Sequence, residues 1–466
     1  MIAPPPAERE IFCNRTLNLR SIKAIGYDMD YTLIHYHVEQ WEGRAYDYLR
    51  DRLHAAGLPV SDLRFDHHSV IRGLVIDTEL GNIVKANRFG YVKQAWHGTR
   101  PLDYDSLRSG YARTIVDLTE PRFIFANTLF SLCELSMYAQ LVDLVDQRKL
   151  DPSLGYGNLY PLIKQSLDAA HMEGQLKAEI VDNPSRFVAD DPDTVAALLD
   201  QKRAGKRLLL ITNSEWPYTE AMMSYAFDPH LPGSMRWGEL FDVIIVSARK
   251  PAFFSQHNPV FEIINSEGHL KPVVGSLGHG IYLGGDAWKV EQYLGLSGDD
   301  ILYVGDHIWG DVHVSKRLLR WRTALILREL EGEVAANQAF SADQQRLAEM
   351  MSQKRDKEFA LSQLRLARLR AGKSEPNAQT EALRTELIKL DNQISPLARA
   401  SGKIGNETWG PLLRTGNDKS LLARMVERHA DIYTSRVSNF LFQTPFAYLR
   451  SPRGSMPHDP GQPIGG

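Results

Sequence analysis

Two carboxylates stand two residues apart at the end of an apolar run: Ile22–Tyr27 (IKAIGY) leads into Asp28-Met29-Asp30-Tyr31-Thr32. If the loop turns tightly, both acids converge on one ligand, one attacking and the other transferring a proton. Thr212-Asn213-Ser214 follows a second apolar run, Arg207–Ile211 (RLLLI). Hydroxyls and free N–H groups at a strand end form a phosphate cradle or a helix cap. Lys250, before Pro251, comes shortly after a third run, Phe241–Val246 (FDVIIV), and offers a positive charge to a phosphoryl group. Gly305-Asp306-His307-Ile308-Trp309-Gly310-Asp311 follows a fourth, Asp300–Val304 (DILYV). Two acids five residues apart, bracketed by glycines, suit oxygen ligation of a hard cation.

The elements that must position these groups read as an α/β fold. A fifth apolar run is Thr323–Leu327, and Glu39–Ala56 and Val195–Ala204 carry helical spacing. Apolar strands alternating with helices argue a parallel sheet covered on both faces. Each polar cluster then lies at a carboxyl end, where open α/β sheets bind ligands. The stretch between the first and second units is not needed for that sheet. It shows strands around Gly73–Val84 and helices at Asn127–Leu150 and Tyr160–Gly174, an inserted cap. Gly275–Gly280 followed by Tyr282–Gly285 reads as a hairpin. Residues 331–405 change in composition, rich in Ala, Leu, Glu, Gln, Lys and Arg without Trp or Tyr. Ser341–Gly372 and Asn377–Ile394 read as an antiparallel helical hairpin, and Leu421–Leu449 as a further helix. The expected organisation is a catalytic core of 1–60 and 180–330, a cap of 61–179, a helical extension of 331–451 and a disordered tail of 452–466.

Composition sets limits on partners. The 466 residues hold 57 acidic and 54 basic groups, a net charge of −3, so bulk charge does not select nucleic acid. At 43% hydrophobic the chain buries large cores, which excludes wholesale disorder. Two cysteines, Cys13 and Cys133, exclude a disulfide framework and a Cys-rich metal site, and favour a reducing, cytoplasmic home. Met1–Glu10 lacks an apolar core, so no secretory signal is expected, and no run of 18 apolar residues predicts a membrane span.

The order D-x-D-x-T, strand-end Thr/Ser, Lys, then G-D-x4-D resembles the haloacid dehalogenase-like (HAD) phosphohydrolase superfamily. DMDYTLI, ITNSEWPYT, SARKPAFF and LYVGDHIWGDV are similar to the cytosolic purine 5′-nucleotidases selective for IMP and GMP. NTLFSL at 127–132, LLRTG at 412–416, RHADIY at 428–433 and FLFQTPFAYLR at 440–450 extend the similarity from about residue 12 to about 459.

The resemblance implies a HAD-like Rossmannoid core with a mostly parallel sheet, an inserted α-rich cap and a C-terminal helical extension. It implies Asp28 as nucleophile, forming an aspartyl-phosphate, and Asp30 as the acid and base. Mg2+ would be held by Asp28, the backbone carbonyl of Asp30 and Asp306, with Asp311 in support. Thr212 and Lys250 would bind phosphate, with Asn213 and Ser214 close by. In relatives, R-x3-D-x2-H-Y-x4-K on a cap helix reads the base. Here it is Lys164-x3-Asp168-x2-His171-Met172-x4-Lys177, so Lys164 stands for the arginine and Met172 for the tyrosine. Lysine lacks the bidentate fork of arginine. Phe130 matches the aromatic that stacks on the base. The implied activity is Mg2+-dependent hydrolysis of purine nucleoside 5′-monophosphates, IMP and GMP preferred, with phosphotransfer to another nucleoside from the same intermediate. The implied partners are that nucleotide, a nucleotide effector between subunits near Asn127, Trp309, Arg317 and Arg428, and further copies of the chain in a dimer or tetramer. The competing reading is a HAD phosphatase of another small phosphorylated metabolite.

Overall fold

The computed structural model describes residues 5–172, 174–265, 267–373 and 377–454, with the side chains of 170–172 outside that description. It is a mixed α/β chain around a ten-stranded sheet. Along the chain these strands are β1 (Phe12–Cys13), β2 (Ala24–Tyr27), β3 (Arg207–Ile211), β4 (Val243–Val246), β5 (Val260–Ile263), β6 (Leu270–Pro272), β7 (Gly280–Gly284), β8 (Ile301–Gly305), β9 (Arg322–Ile326) and β10 (Ile432–Thr434). In space they run β1-β10-β9-β8-β2-β3-β4-β7-β5-β6. The strands from β10 to β7 are mutually parallel; β1 pairs antiparallel with β10 at one edge, and β5 pairs antiparallel with both β7 and the edge strand β6 at the other.

The central strands explain their own sequences. β2, β4 and β8 are buried along their whole length, so they read as continuous apolar runs rather than alternating ones. On one face, Leu209, Ile211, Val243, Ile245, Tyr303 and Trp321 form a core with Phe253 and Phe254. Gly26 in β2 faces the Tyr303 ring, where an added Cβ would come within 2.9 Å of a ring carbon. That close approach lets β2 and β8 carry their loops side by side.

The inserted segment has its own antiparallel sheet of five strands, in the order Arg100–Pro101, Val92–His97, Asn82–Ala86, Val75–Asp77 and Phe123–Phe125. Beside it lie the helices Leu132–Asp146 and Tyr156–Met172.

Three sequence expectations are corrected. Gly280–Gly284 is not half of a local hairpin: it joins the central sheet parallel to β4, and the hairpin is β5 with β6. Leu421–Leu449 is helical only over Leu421–His429. The chain then extends into β10, which pairs in parallel with β9. Consequently 331–451 is not one extension. One compact unit comprises Met1–Glu331 with Leu412–Pro452, and Gly332–Pro411 belongs to a second. Of the tail expected at 452–466, residues 455–466 lie outside the described residues.

The second unit holds two long helices, Ser341–Arg370 and Ala378–Ser401. Met350, Leu390 and Ile394 form its small core with Leu347, Met351 and Leu397 around them. Lys354 pairs with Asp391 at 2.6 Å across the two helices. Among the described residues, no helix is long and apolar enough to cross a membrane.

Candidate active site

The loop after β2 folds back at once. Thr32, Leu33 and Ile34 all donate their N–H groups to the Met29 carbonyl, at 3.2, 2.9 and 3.0 Å. Tyr31 takes φ 52°, a left-handed conformation uncommon for a bulky residue and found where a loop is over-determined by its surroundings. Asp28 stays tied to the sheet, its N–H on the Val304 carbonyl at 2.9 Å.

Asp28, Asp306 and Asp311 are all buried, and one carboxylate oxygen of each lies within 4.8 Å of the others. Lys250 stands between them, its Nζ 2.7 Å from Asp28 Oδ1 and 2.8 Å from Asp311 Oδ1. Gly305 makes room for Asp311: a Cβ there would sit 2.4 Å from Asp311 Oδ2. That oxygen accepts the His307 N–H at 3.1 Å.

This is a crowded set of charges. Burial pushes the Asp28 carboxyl up strongly; Lys250 opposes this, while Asp311, Asp306 and Asp30 add to it. Burial, then Asp311, push Asp306 up to about 7, against Arg72, the Thr128 hydrogen bond and Lys250. Burial alone would lower Lys250, but Asp28 and Asp311 outweigh it and hold the ammonium charged. With all three ionised, the carboxylates outnumber the one ammonium by two negative charges, which a bound cation would offset. An all-oxygen, doubly negative cluster fits a hard divalent cation.

Thr212 is fully buried, and its Oγ1 accepts the Ser214 N–H at 3.0 Å. Ser214 Oγ donates to Asp30 Oδ2 at 2.7 Å. The Asn213 amide is engaged with the main chain of Lys250, accepting its N–H at 2.6 Å and donating to its carbonyl at 3.2 Å. The Asn213 side chain therefore braces the Lys250 main chain. Loop to loop, Ala248 N–H meets the Thr212 carbonyl at 3.0 Å and Ser247 N–H the Ser214 carbonyl at 2.9 Å. All four polar clusters expected from the sequence thus converge beyond the carboxyl ends of the central strands.

The expected base-binding residues divide. Lys164 pairs with Asp168 at 3.1 Å and with Glu134 at 3.4 Å, and Tyr160 also donates to Glu134, at 2.8 Å. Lys177 lies on the next helix, Gln175–Asp182, which starts after Gly174 at φ 72°. It pairs instead with Glu215 at 3.5 Å, above the Tyr218 ring at 5.0 Å. Phe130 packs edge-on against Tyr31 and Trp41, centroids 4.7 and 5.7 Å apart. His171 lies in the last turn of the Tyr156–Met172 helix, and its side chain, like that of Met172, lies outside the described residues.

Several supporting residues escape a reading by spacing. Thr128 Oγ1 donates to Asp306 Oδ2 at 2.9 Å. Arg72, fully buried, donates to the Asp306 carbonyl at 3.1 Å and to Glu329 at 2.9 Å. Tyr303 donates to the Ile211 carbonyl at 3.0 Å and receives Lys250 Nζ at 3.2 Å. Thr128 sits inside the NTLFSL stretch already singled out; Arg72 and Tyr303 carry no sequence signal beyond their type.

The 5' nucleotidase family model matches residues 11–461. The chain belongs to the 5' nucleotidase family. A 5'-nucleotidase domain-containing protein of Dictyostelium discoideum is 26% identical over 470 residues, covering 97% of this chain and 75% of that protein. The crystal structure of CbbY from Rhodobacter sphaeroides in complex with phosphate matches with 15% identity over 66% of this chain and 86% of that one. Its TM-score of 0.23 is too low to support an assignment. As a member of the 5' nucleotidase family, the chain is a phosphoric monoester hydrolase of nucleoside monophosphates.

Beside the site, Glu42 is buried, with Oε2 accepting the Cys133 N–H at 3.1 Å. Burial, opposed by bonds from Cys133, raises its carboxyl to about 8. A carboxyl with a raised folded-state pKa contributes stability that is complete below its unfolded value and is lost as pH rises through the folded one. Glu42→Gln keeps the acceptor and has no proton to lose. The expected result is a melting temperature that falls less between about pH 6 and about pH 9 than that of the native chain. An equal fall in thermal melts contradicts this account of Glu42.

Proposed function

We propose that this 5' nucleotidase hydrolyses purine nucleoside 5′-monophosphates, IMP and GMP foremost, through an aspartyl-phosphate on Asp28 and with Mg2+. The observation that carries the reading is Lys250, buried and bonded to both Asp28 and Asp311 beside Asp306. One carboxylate beside a fixed cation, on a strand-end loop, is what in-line attack on a phosphoryl group needs.

An Asp28 carboxylate oxygen attacks phosphorus, and the bond from phosphorus to the nucleoside 5′-oxygen breaks. Asp30 gives that oxygen its proton. Water then attacks phosphorus, Asp30 takes the water proton, and the bond to Asp28 breaks to release phosphate. A nucleoside 5′-hydroxyl in place of water gives phosphotransfer from the same intermediate. Thr212 and Lys250 hold the phosphoryl oxygens, with the backbone of Asn213 and Ser214. A divalent cation bound by Asp28, Asp306, Asp311 and the Asp30 carbonyl would neutralise charge on the transferring group. On the nucleoside side, Phe130 offers a ring face and Lys164, Asp168, His171 and Lys177 offer polar groups. Homo-oligomers in the cytoplasm, with a nucleotide effector, belong to the same proposal.

The test is phosphate release from IMP, GMP, AMP, CMP, a sugar phosphate and phosphoserine, with magnesium and with chelator. The expected order is IMP and GMP ahead of AMP and CMP, and all of these ahead of the others, with activity lost in chelator. A sugar phosphate or phosphoserine turned over faster than every nucleotide sinks the purine reading.

A further inference from the structure

Asp30 is held on both oxygens. Oδ2 accepts from Ser214 Oγ at 2.7 Å, and Oδ1 accepts from Tyr36 Oη at 2.5 Å. Tyr36 Oη also lies 3.0 Å from Tyr218 Oη. A phenol carries one hydrogen, and an ionised carboxylate only accepts. Tyr36 therefore donates to Asp30, and Tyr218 donates to Tyr36.

The two tyrosines come from independent elements. Tyr36 lies in the short strand His35–Tyr36, which pairs with Val188–Ala189, and Tyr218 in the helix Trp216–Phe227. Both are buried. The Tyr36 ring packs edge-on to Tyr31, centroids 5.3 Å apart, and against Trp41 at 4.4 Å. Its hydroxyl is thus fixed by the ring's packing and by Tyr218. The Ser214 hydroxyl is different, because it swings about one bond and can leave Oδ2.

We propose that Tyr36 and Tyr218 are positioning residues for the proton step. Tyr36 pins Asp30 Oδ1, backed by Tyr218, so that Oδ2 is the oxygen that carries the proton. This rests on the reading of Asp30 as the acid and base. In the first transfer, the Oδ2–H bond breaks as the 5′-oxygen gains hydrogen and its bond to phosphorus breaks. In the second, a water O–H bond breaks and its proton goes to Oδ2. The water oxygen bonds phosphorus, and the phosphorus bond to Asp28 breaks. Removing the Tyr36 hydroxyl frees the carboxyl to rotate, which costs rate where the leaving group needs a proton.

The test compares kcat/KM, which reports the first transfer, for the best nucleotide of the panel above and for p-nitrophenyl phosphate. p-Nitrophenolate leaves with little need of a proton. Tyr36→Phe is expected to lower kcat/KM about tenfold for the nucleotide and less than about threefold for the aryl phosphate. Tyr218→Phe is expected to show the same contrast, smaller. Melting temperatures check folding, and if Tyr36→Phe does not fold, Tyr218→Phe decides. Equal losses on both substrates, or no loss on either, overturn the proposal. Asp30→Asn separates the two layers and should show the largest contrast. If it shows none, the Asp30 reading fails. If it shows the contrast and the tyrosine variants do not, only this inference fails.

Discussion

Asp28→Asn is expected to lower kcat by about four orders of magnitude or more, while the chain still folds. The amide keeps the shape of the carboxylate but is a poor nucleophile. The fold should not suffer, because Asp28 belongs to a cluster of like charges in which Asp306 and Asp311 disfavour its ionised form. Neutralising one member relieves that repulsion. Melting in chelator is therefore expected at or above the native temperature, and affinity for a divalent cation is expected to fall. A variant that retains more than about a tenth of native activity would remove Asp28 from the role of nucleophile.

Lys250→Met has the second large effect, of a different kind. The ammonium bridges Asp28 and Asp311 within 2.8 Å and is nearly inaccessible to solvent. Removing one partner of a buried charge cluster leaves uncompensated carboxylates, a cost of about 3–5 kcal/mol. Loss of a phosphoryl-stabilising charge should lower kcat by about a hundredfold to a thousandfold. A divalent cation would take over part of the compensation. The gap in melting temperature between chelator and magnesium should therefore be wider in Lys250→Met than in the native chain. Equal gaps would mean that Lys250 and the cation do not share the same carboxylates.

These two predictions concern groups that the sequence made visible, for a physical reason. Parallel strands buried on both faces are unbroken apolar runs, so RLLLI and FDVIIV announce both the strand and the polar residues that must follow it. Asp28, Thr212, Lys250 and Asp306 all follow such runs. Residues that reach the site from elsewhere have no such signature. Arg72 and Thr128 act through contacts between segments far apart in the chain, and spacing does not encode those contacts. The base-reading pattern spans two helices: Gly174 at φ 72° divides it, and Lys177 beyond it pairs with Glu215. Asn213 has the right type at the right strand end, yet its amide braces the Lys250 main chain. β10 was hidden for another reason: three residues after a helix are too short to show a period, and only pairing with β9 makes them a strand.

The account stands or falls on the covalent phosphoryl group at Asp28. The native chain should be mixed with the best nucleotide and magnesium, quenched in acid within a turnover, reduced with borohydride and digested. The predicted result is a reduced residue at position 28 of the native chain. A nucleotide hydrolysed at full rate with no modification at position 28 would contradict it.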